Sequence, residues 1–521
     1  MSDRAKAAVH ARTKRFARVG EPMTPIAALD RQARHRPDGV AFAWQDQVWT
    51  YFKLGYEVER LAAALLGRGV KRGERVVLHM TNVPELVVAI YACFRIGAIA
   101  APLYTRLKTP ELRALLQRLR PAFYLGQAQF YPEIAAIDAA VLATKGRFVL
   151  GDIENELVQP WEHLYKITAT TSRLHDPVAD APAVLLATSG TTGQPKFVTH
   201  TPATFAAGIE LFGHLHLDSE HTVLNALPMI QVAGLLTLGA CIRFGAPMAL
   251  MQSFQPDAVL DAIARYRCSW MLGVPLMFAE MVATQRARAR DVGSLSCCYS
   301  AGDVCPLDLQ RAFAAVFGSP LSSLWGSTEA LGFLHGLQVG PVTRIPPGAE
   351  VRLVDDSGAE MARGDVGEML VRAPTVTPGY WIGPDQIEPL SVDGWFPTGD
   401  LMRRGDDDDE LLFVARKKFL IIRGGSNISP IEVENVLQAH HAVRNAAVLG
   451  IPDDRLGQRV AAAVELVEGS DDDAIDDIMA HAKANLADYK VPERLKAVGE
   501  IPRTTLGKID RRALLTMMSD A

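Results

Sequence analysis

The chain has 521 residues, more than one hydrophobic core supports, so at least two domains are expected. Hydrophobic residues make up 49% and charged residues 22%, and Lys+Arg 54 against Asp+Glu 59 leaves a net charge of −5, which excludes the basic excess of a nucleic-acid-binding protein. The 6 cysteines (Cys93, Cys241, Cys268, Cys297, Cys298, Cys305) form no Cys-x-x-Cys pair, so a zinc site or disulfide framework is not expected; they read as reduced, buried thiols of a cytoplasmic protein.

Residues 1–24 are basic and polar without an apolar centre, and read as a loose arm; a mitochondrial presequence is the lesser alternative, and a secretory signal does not fit. Residues 75–80 (Arg-Val-Val-Leu-His-Met) suit a strand. Residues 84–94 form an almost wholly apolar helix stopped at Gly97. A further helix starts near Thr109-Pro110 with Leu112, Leu115, Leu116 and Leu119 on one face, and 123–125 and 183–187 read as buried strands. This alternation predicts an α/β fold: a large N-terminal domain of helix-covered, largely parallel sheets. The uncharged stretch 222–242 is long enough to span a bilayer, but Asn225, Pro228, Gln231 and Gly234 interrupt it, so buried core is expected and no membrane span. Short β-rich runs at 350–354 and 368–372 predict a β subdomain. The acidic run 406–410 lacks the spaced ligands of a calcium loop and is expected at a solvated hairpin tip.

The chemistry gathers in a few stretches. After the strand 183–187 come Thr188, Ser189, Gly190, Thr191, Thr192, Gly193 and, beyond Gln194-Pro195, Lys196. Glycines let backbone N–H groups approach a phosphate, hydroxyls donate further hydrogen bonds and the ammonium balances charge. A polar surface loop would use similar residues, but a Walker A loop is excluded, because Pro195 separates the second glycine from the lysine and Phe197 follows it. Later stretches are 300–306 (Ser-Ala-Gly-Asp-Val-Cys-Pro), 324–329 (Leu-Trp-Gly-Ser-Thr-Glu), 394–400 (Gly-Trp-Phe-Pro-Thr-Gly-Asp), 416–418 (Arg-Lys-Lys), 424–434 (Gly-Gly-Ser-Asn-Ile-Ser-Pro-Ile-Glu-Val-Glu) and 501–512 around Leu506-Gly507-Lys508. Local structure accounts for parts of these. Ser327 or Thr328 would cap a helix with Glu329 on its first turn, and Ser429, Pro430 and Glu432 make a capping box.

Taken together and in this order, these stretches resemble the AMP-forming adenylating enzymes: acyl-CoA synthetases, peptide-synthetase adenylation domains and firefly-type luciferases. The resemblance runs from about residue 25 onward and is greatest to benzoate-type acyl-CoA ligases, through 271–275 and 325–329. It implies a large domain over 25–416 and a small mobile α+β domain over 417–521, pivoting at Lys418. It implies ATP and CoA as substrates and Mg²⁺ as the metal. Thr188–Lys196 would hold phosphates. Gly302 and Asp303 would lie at adenine, as would the ring of Trp325 beside Gly326 and Ser327. Thr328 would contact phosphate, Glu329 would bind Mg²⁺, Asp400 the ribose hydroxyls, and Arg416 ribose or phosphate. Lys508 would be the catalytic lysine, and Gly424-Gly425 would lie against pantetheine. The acyl pocket would be formed by Phe205, Met229, Ile230, Gln231, Ala301, Leu331 and Gly332, an uncharged set that suits an aryl or medium-chain carboxylic acid.

The sequence departs from the family pattern at several places. Phe197 replaces a glycine, Pro202 and Gln231 each replace a common histidine, Ala415 replaces a glycine, and Phe419 stands where an acidic residue is common. Neither Phe197 nor Pro202 removes a group that phosphate chemistry needs. A stand-alone enzyme loading a carrier-protein thiol, and a non-catalytic acyl- or nucleotide-binding protein, are the alternatives; a homodimer is compatible with the sequence but not required by it.

Overall fold

The computed structural model describes residues 22–519, apart from 138–140, 143–144, 168–177, 189–195, 333, 337–338, 385, 392, 424–425, 454, 471–473 and 505–507. Among the described residues the strands form three sheets. In the nine-stranded sheet, Val184–Thr188, Ile99–Pro102, Arg75–His79, Phe123–Gln127, Gly146–Leu150 and Gln159–Pro160 run parallel. Lys196–His200, Gly379–Gly383 and Gln386–Glu388 then extend it antiparallel. The thirteen-stranded sheet has a parallel centre, including Trp270–Gly273, Cys297–Ser300 and Leu321–Trp325. It continues without a break into antiparallel strands that include Phe396–Arg404 and Glu410–Arg416. The β-rich region expected after residue 350 therefore grows out of a large sheet, although it keeps a small core of its own around Leu353, Met369, Val371 and Met402.

The helix Pro84–Ile96 ends at Gly97, whose φ of 67° supplies the left-handed cap that the sequence anticipates. It is apolar almost all round and buried almost throughout, in a core shared by residues of both large sheets. The stretch 222–242 lies in this core, with Val232–Phe244 helical, and no helix among the described residues is long and apolar enough to cross a membrane. The third sheet begins at Ile421–Arg423, and its strands pack with Pro430–Gln438 and Ala474–Asn485 around Ile421, Val433, Leu437, Val448 and Val460. None of the six cysteines is in a disulfide; five are buried and Cys297 is half-buried. Burial pushes the Cys93 and Cys268 thiols up to about 12.

Two departures from the family pattern find their reason in this architecture. Phe197 is fully buried and pairs across the strands with Trp381, so both face the core of the nine-stranded sheet. Pro202 is the first residue of the helix Pro202–His214, capped by Thr201, where its fixed φ suits the position.

Candidate active site

The phosphate-loop residues Ser189, Gly190, Thr191, Thr192 and Gly193 lie outside the described residues, as do Gly424 and Gly425. The strands on either side of the loop fix where it starts and ends. Thr188 pairs with Lys196 in the antiparallel ladder, and the Thr188 hydroxyl lies 3.4 Å from the Lys196 carbonyl. Lys196 then reaches over the ring of Tyr380, its Nζ 4.3 Å from the centroid.

The segment 326–330 is not a helix N-terminus, which corrects the local alternative for Ser327–Glu329. The parallel strand Leu321–Trp325 ends here and the chain turns, with the Ala330 N–H donating to Ser327 Oγ at 3.0 Å. Two side chains outside the turn hold it. His200 is fully buried, and its Nε2 lies 2.7 Å from the Thr328 carbonyl, which can only accept; Nε2 therefore carries the proton and Nδ1 is left facing Thr204 Oγ1 at 3.2 Å. Burial pushes His200 down to about 4, so the ring is neutral at physiological pH. On the other side the Tyr380 hydroxyl donates to Glu329 Oε1 at 3.0 Å. Glu329 Oε2 has no hydrogen-bond partner among the described residues, so one carboxylate oxygen is free to face a divalent cation, a donor suited to Mg²⁺ beside phosphate oxygens.

Asp400 is 1% exposed and lies opposite Arg416 in the ladder. The Trp325 indole N–H donates to Asp400 Oδ2 at 2.8 Å, linking the expected adenine-side residue to the expected ribose-side residue. Arg416 Nε stands 2.7 Å from Oδ1, but Oδ1 lacks an aligned hydrogen-bond donor among the described residues. A buried carboxylate oxygen with spare acceptor capacity fits a ribose hydroxyl. Burial raises the Asp400 carboxyl above its usual range, against the opposing pull of Arg416, Trp325 and Lys508.

Lys508 comes from the far end of the chain into this field. It is open to water, yet the surrounding protein is dense enough that burial, with the Arg416 charge beside it, lowers its ammonium below the usual lysine range. The carboxylates of Asp303, Asp400 and Glu329 act in the opposite sense. Lys418 is lowered for the same reasons, burial first and Arg416 second. Gly302 has a φ of 87°, and Asp303 is exposed beside it. Past the 3-10 turn Lys417–Phe419, Ser429 Oγ donates to the Val414 carbonyl at 2.9 Å across the expected hinge. The Ser429 capping box is only half formed: Ser429 accepts from the Glu432 N–H, but the Glu432 carboxylate pairs with Lys490 at 2.6 Å instead of turning back.

Of the expected acyl-pocket residues, Phe205, Met229, Ile230 and Leu331 are buried in one apolar core, with Ala301 packed against it. Gln231, Ala301 and Gly332 are only partly buried. Gln231 is the N-cap residue of Val232–Phe244 but makes no side-chain capping bond, and its side-chain amide has no hydrogen-bond partner among the described residues. His200 and Tyr380 are the residues that sequence reasoning missed.

The Asp400 carboxylate, the turn carrying Glu329 and Lys508 from the far end of the chain lie within electrostatic reach of one another, and Tyr380 joins Glu329 to Lys196. The chain belongs to the AMP-binding enzyme family, whose model matches residues 29–381, followed by a match to the AMP-binding enzyme C-terminal domain over 432–508. It is similar to the indoleacetate–CoA ligase of Aromatoleum aromaticum, 32% identical over 498 residues that cover 92% of this chain and 95% of that one. Among solved structures it resembles the anthranilate CoA ligase AuaEII in complex with anthranoyl-AMP, with a TM-score of 0.88, 25% identity, and 96% and 98% of the two chains covered. It also resembles a benzoate CoA ligase from Burkholderia xenovorans LB400, with a TM-score of 0.84, 26% identity, and 94% and 99% covered.

Proposed function

We propose that this AMP-forming acid–thiol ligase activates a monocarboxylic acid with an apolar body, aryl in preference to medium-chain aliphatic, and transfers the acyl group to CoA. The observation that carries the reading is Asp400, 1% exposed and flanked by the Trp325 indole at 2.8 Å and Arg416 at 2.7 Å, with the Lys508 ammonium near enough for its charge to act on it. A carboxylate oxygen attacks the α-phosphorus of ATP, pyrophosphate leaves, and an acyl-adenylate results. The CoA thiol then attacks the mixed anhydride and AMP leaves.

The protein's part is positioning and charge neutralisation. Thr188–Lys196 and Thr328 hold phosphate oxygens, and Asp400 accepts from the ribose hydroxyls. Trp325, with Gly326 and Ser327, lies at adenine together with Gly302 and Asp303. Lys508 bridges the acyl carboxylate and the α-phosphate. Glu329 would hold Mg²⁺, which when bound supplies charge for the β- and γ-phosphate oxygens. The domain boundary falls at 416–418. Rotation there withdraws Lys508 and presents Gly424-Gly425 to pantetheine, a hinge motion that gives one cleft two steps. The uncharged set Phe205, Met229, Ile230, Gln231, Ala301, Leu331 and Gly332 favours an apolar acid, and the aromatic acids named for the similar proteins favour an aryl one. Thiols outside any disulfide suit the cytoplasm.

Acid-dependent ATP–pyrophosphate exchange across benzoates, arylacetates, cinnamates, fatty acids and dicarboxylates, repeated with CoA, tests this. Exchange and thioester are expected with aryl acids, and Lys508→Ala is expected to lower exchange by at least about 100-fold while nucleotide still binds. Exchange without thioester would move the acceptor to a carrier protein, and exchange only with dicarboxylates would overturn the apolar pocket.

A further inference from the structure

Tyr380 belongs to none of the stretches that carry the family resemblance, yet it touches two charged groups of the site. It lies on Gly379–Gly383, which pairs antiparallel with Lys196–His200 in the register Tyr380↔Val198 and Trp381↔Phe197. Side chains alternate along a strand, so Tyr380 shares a face with Val198 and Lys196, while Trp381 and Phe197 turn into the core. Gly379 fixes this placement. Its φ is 149°, and a Cβ there would stand 2.1 Å from the Glu388 carbonyl oxygen, so the strand approaches its neighbour only because no side chain intervenes.

The two ends of Tyr380 meet opposite charges. The hydroxyl donates to Glu329 Oε1 at 3.0 Å, and the ring face receives the Lys196 ammonium at 4.3 Å. Without Tyr380 between them, Lys196 and Glu329 would be free to pair directly, and that pairing would occupy the carboxylate oxygen left for a cation.

We propose that Tyr380 is a positioning residue for the metal–nucleotide complex: its hydroxyl fixes the Glu329 carboxylate with Oε2 presented to the divalent cation, and its ring holds Lys196 apart from that carboxylate for the phosphates. This rests on the reading of Glu329 as the metal ligand and Lys196 as a phosphate contact. Outer partners of ligating carboxylates typically govern metal affinity by 10- to 100-fold, and an effect of that size is expected here.

The test uses Mn²⁺ as the probe, followed by electron paramagnetic resonance in the presence of α,β-methylene-ATP, so that binding is read without turnover. Tyr380→Phe, which keeps the ring and removes the hydroxyl, is expected to weaken Mn²⁺ binding by about 10-fold or more. It should raise the half-saturating Mg²⁺ for pyrophosphate exchange by a similar factor and leave metal-free nucleotide binding unchanged. Tyr380→Leu, which also removes the ring, is expected to weaken metal-free nucleotide binding in addition. A purely structural tyrosine would lower the thermal midpoint in both variants without moving Mn²⁺ affinity in Tyr380→Phe, and that result overturns the inference. Glu329→Gln separates the two levels. If it weakens Mn²⁺ binding and Tyr380→Phe does not, the positioning role alone fails. If neither weakens it, the assignment of Glu329 fails as well.

Discussion

On the proposed reading, Asp400 is a buried carboxyl kept for the ribose at some cost to the empty fold. Its carboxyl is raised by burial despite Trp325, Arg416 and Lys508, so the folded protein favours the neutral form more than the unfolded chain does. A carboxyl raised in this way opposes folding above its folded value, and the opposition is relieved as pH falls towards the unfolded value. Asp400→Asn keeps an acceptor for the Trp325 indole and frees Arg416, which is 40% exposed and can be solvated. The variant is expected to melt no lower than the wild type at pH 8, with any advantage shrinking towards pH 4. Its KM for ATP should rise about 10- to 100-fold, because charge-assisted bonds to the ribose are worth about 1.5–3 kcal/mol. Thermal melts across pH, set beside exchange kinetics, check both halves. A lower melting point at pH 8 that persists in acid would show the charge to be net stabilising.

At the scale of elements, the helix Pro202–His214 links the residues proposed for the nucleotide to those proposed for the acyl group. Its capping Thr201 directly follows His200, which holds the Thr328 carbonyl, and two turns later Gly208 faces Leu331. A Cβ on Gly208 would stand 2.9 Å from Leu331 Cβ and 3.2 Å from Leu236 Cδ2, so Gly208→Ala must displace Leu331. Helix propensity returns about 1 kcal/mol of an overpacking cost of about 1–3 kcal/mol, so the net destabilisation expected is at most about 2 kcal/mol. The KM for the preferred acid should rise about tenfold with KM for ATP unchanged, the worth of roughly one methylene in an apolar pocket. Equal changes in both constants would remove Leu331 from the acyl wall.

Such contacts mark the limit of what the sequence discloses. Strand–helix alternation, the helix stop at Gly97 and the buried strand leading into Thr188 depend on neighbours in the chain, and they are legible as residue types at fixed spacing. Tyr380 and His200 gain their roles from pairings 51 to 184 residues away, Tyr380 with Glu329 and Lys196 and His200 with Thr328, and no local pattern announces those. The Tyr-Trp pair at 380–381, beside a glycine in an alternating strand, was the available signal, and it reads equally as an ordinary sheet edge. The Glu432 side chain shows the converse: a capping box is legible in the local sequence, but Lys490, 58 residues on, takes the carboxylate.

At the scale of the whole molecule, the charge of Lys508 depends on where the C-terminal region sits. In this arrangement burial and Arg416 lower its ammonium, and Asp303, Asp400 and Glu329 only partly restore it. The first half-reaction needs the protonated form, and a lowered value means that the proton is lost at a pH closer to neutral than the usual lysine value of about 10.4. Exchange of pyrophosphate should therefore fall on an alkaline limb below that value, read as kcat/KM for ATP, which reports the free enzyme. If rotation at 416–418 carries Lys508 out of the cleft for the second half-reaction, the limb should vanish from thioester formation measured in single turnover from acyl-adenylate formed beforehand on the enzyme. That rate should instead rise with pH as the CoA thiol ionises. Lys508→Ala should abolish the first profile and leave the second near wild type, since the second step no longer uses the lysine. Two profiles sharing one alkaline limb, both lost in Lys508→Ala, would mean that Lys508 stays in the cleft for both steps. The region after residue 418 would then be a fixed lid, and the acceptor thiol would have to enter past it.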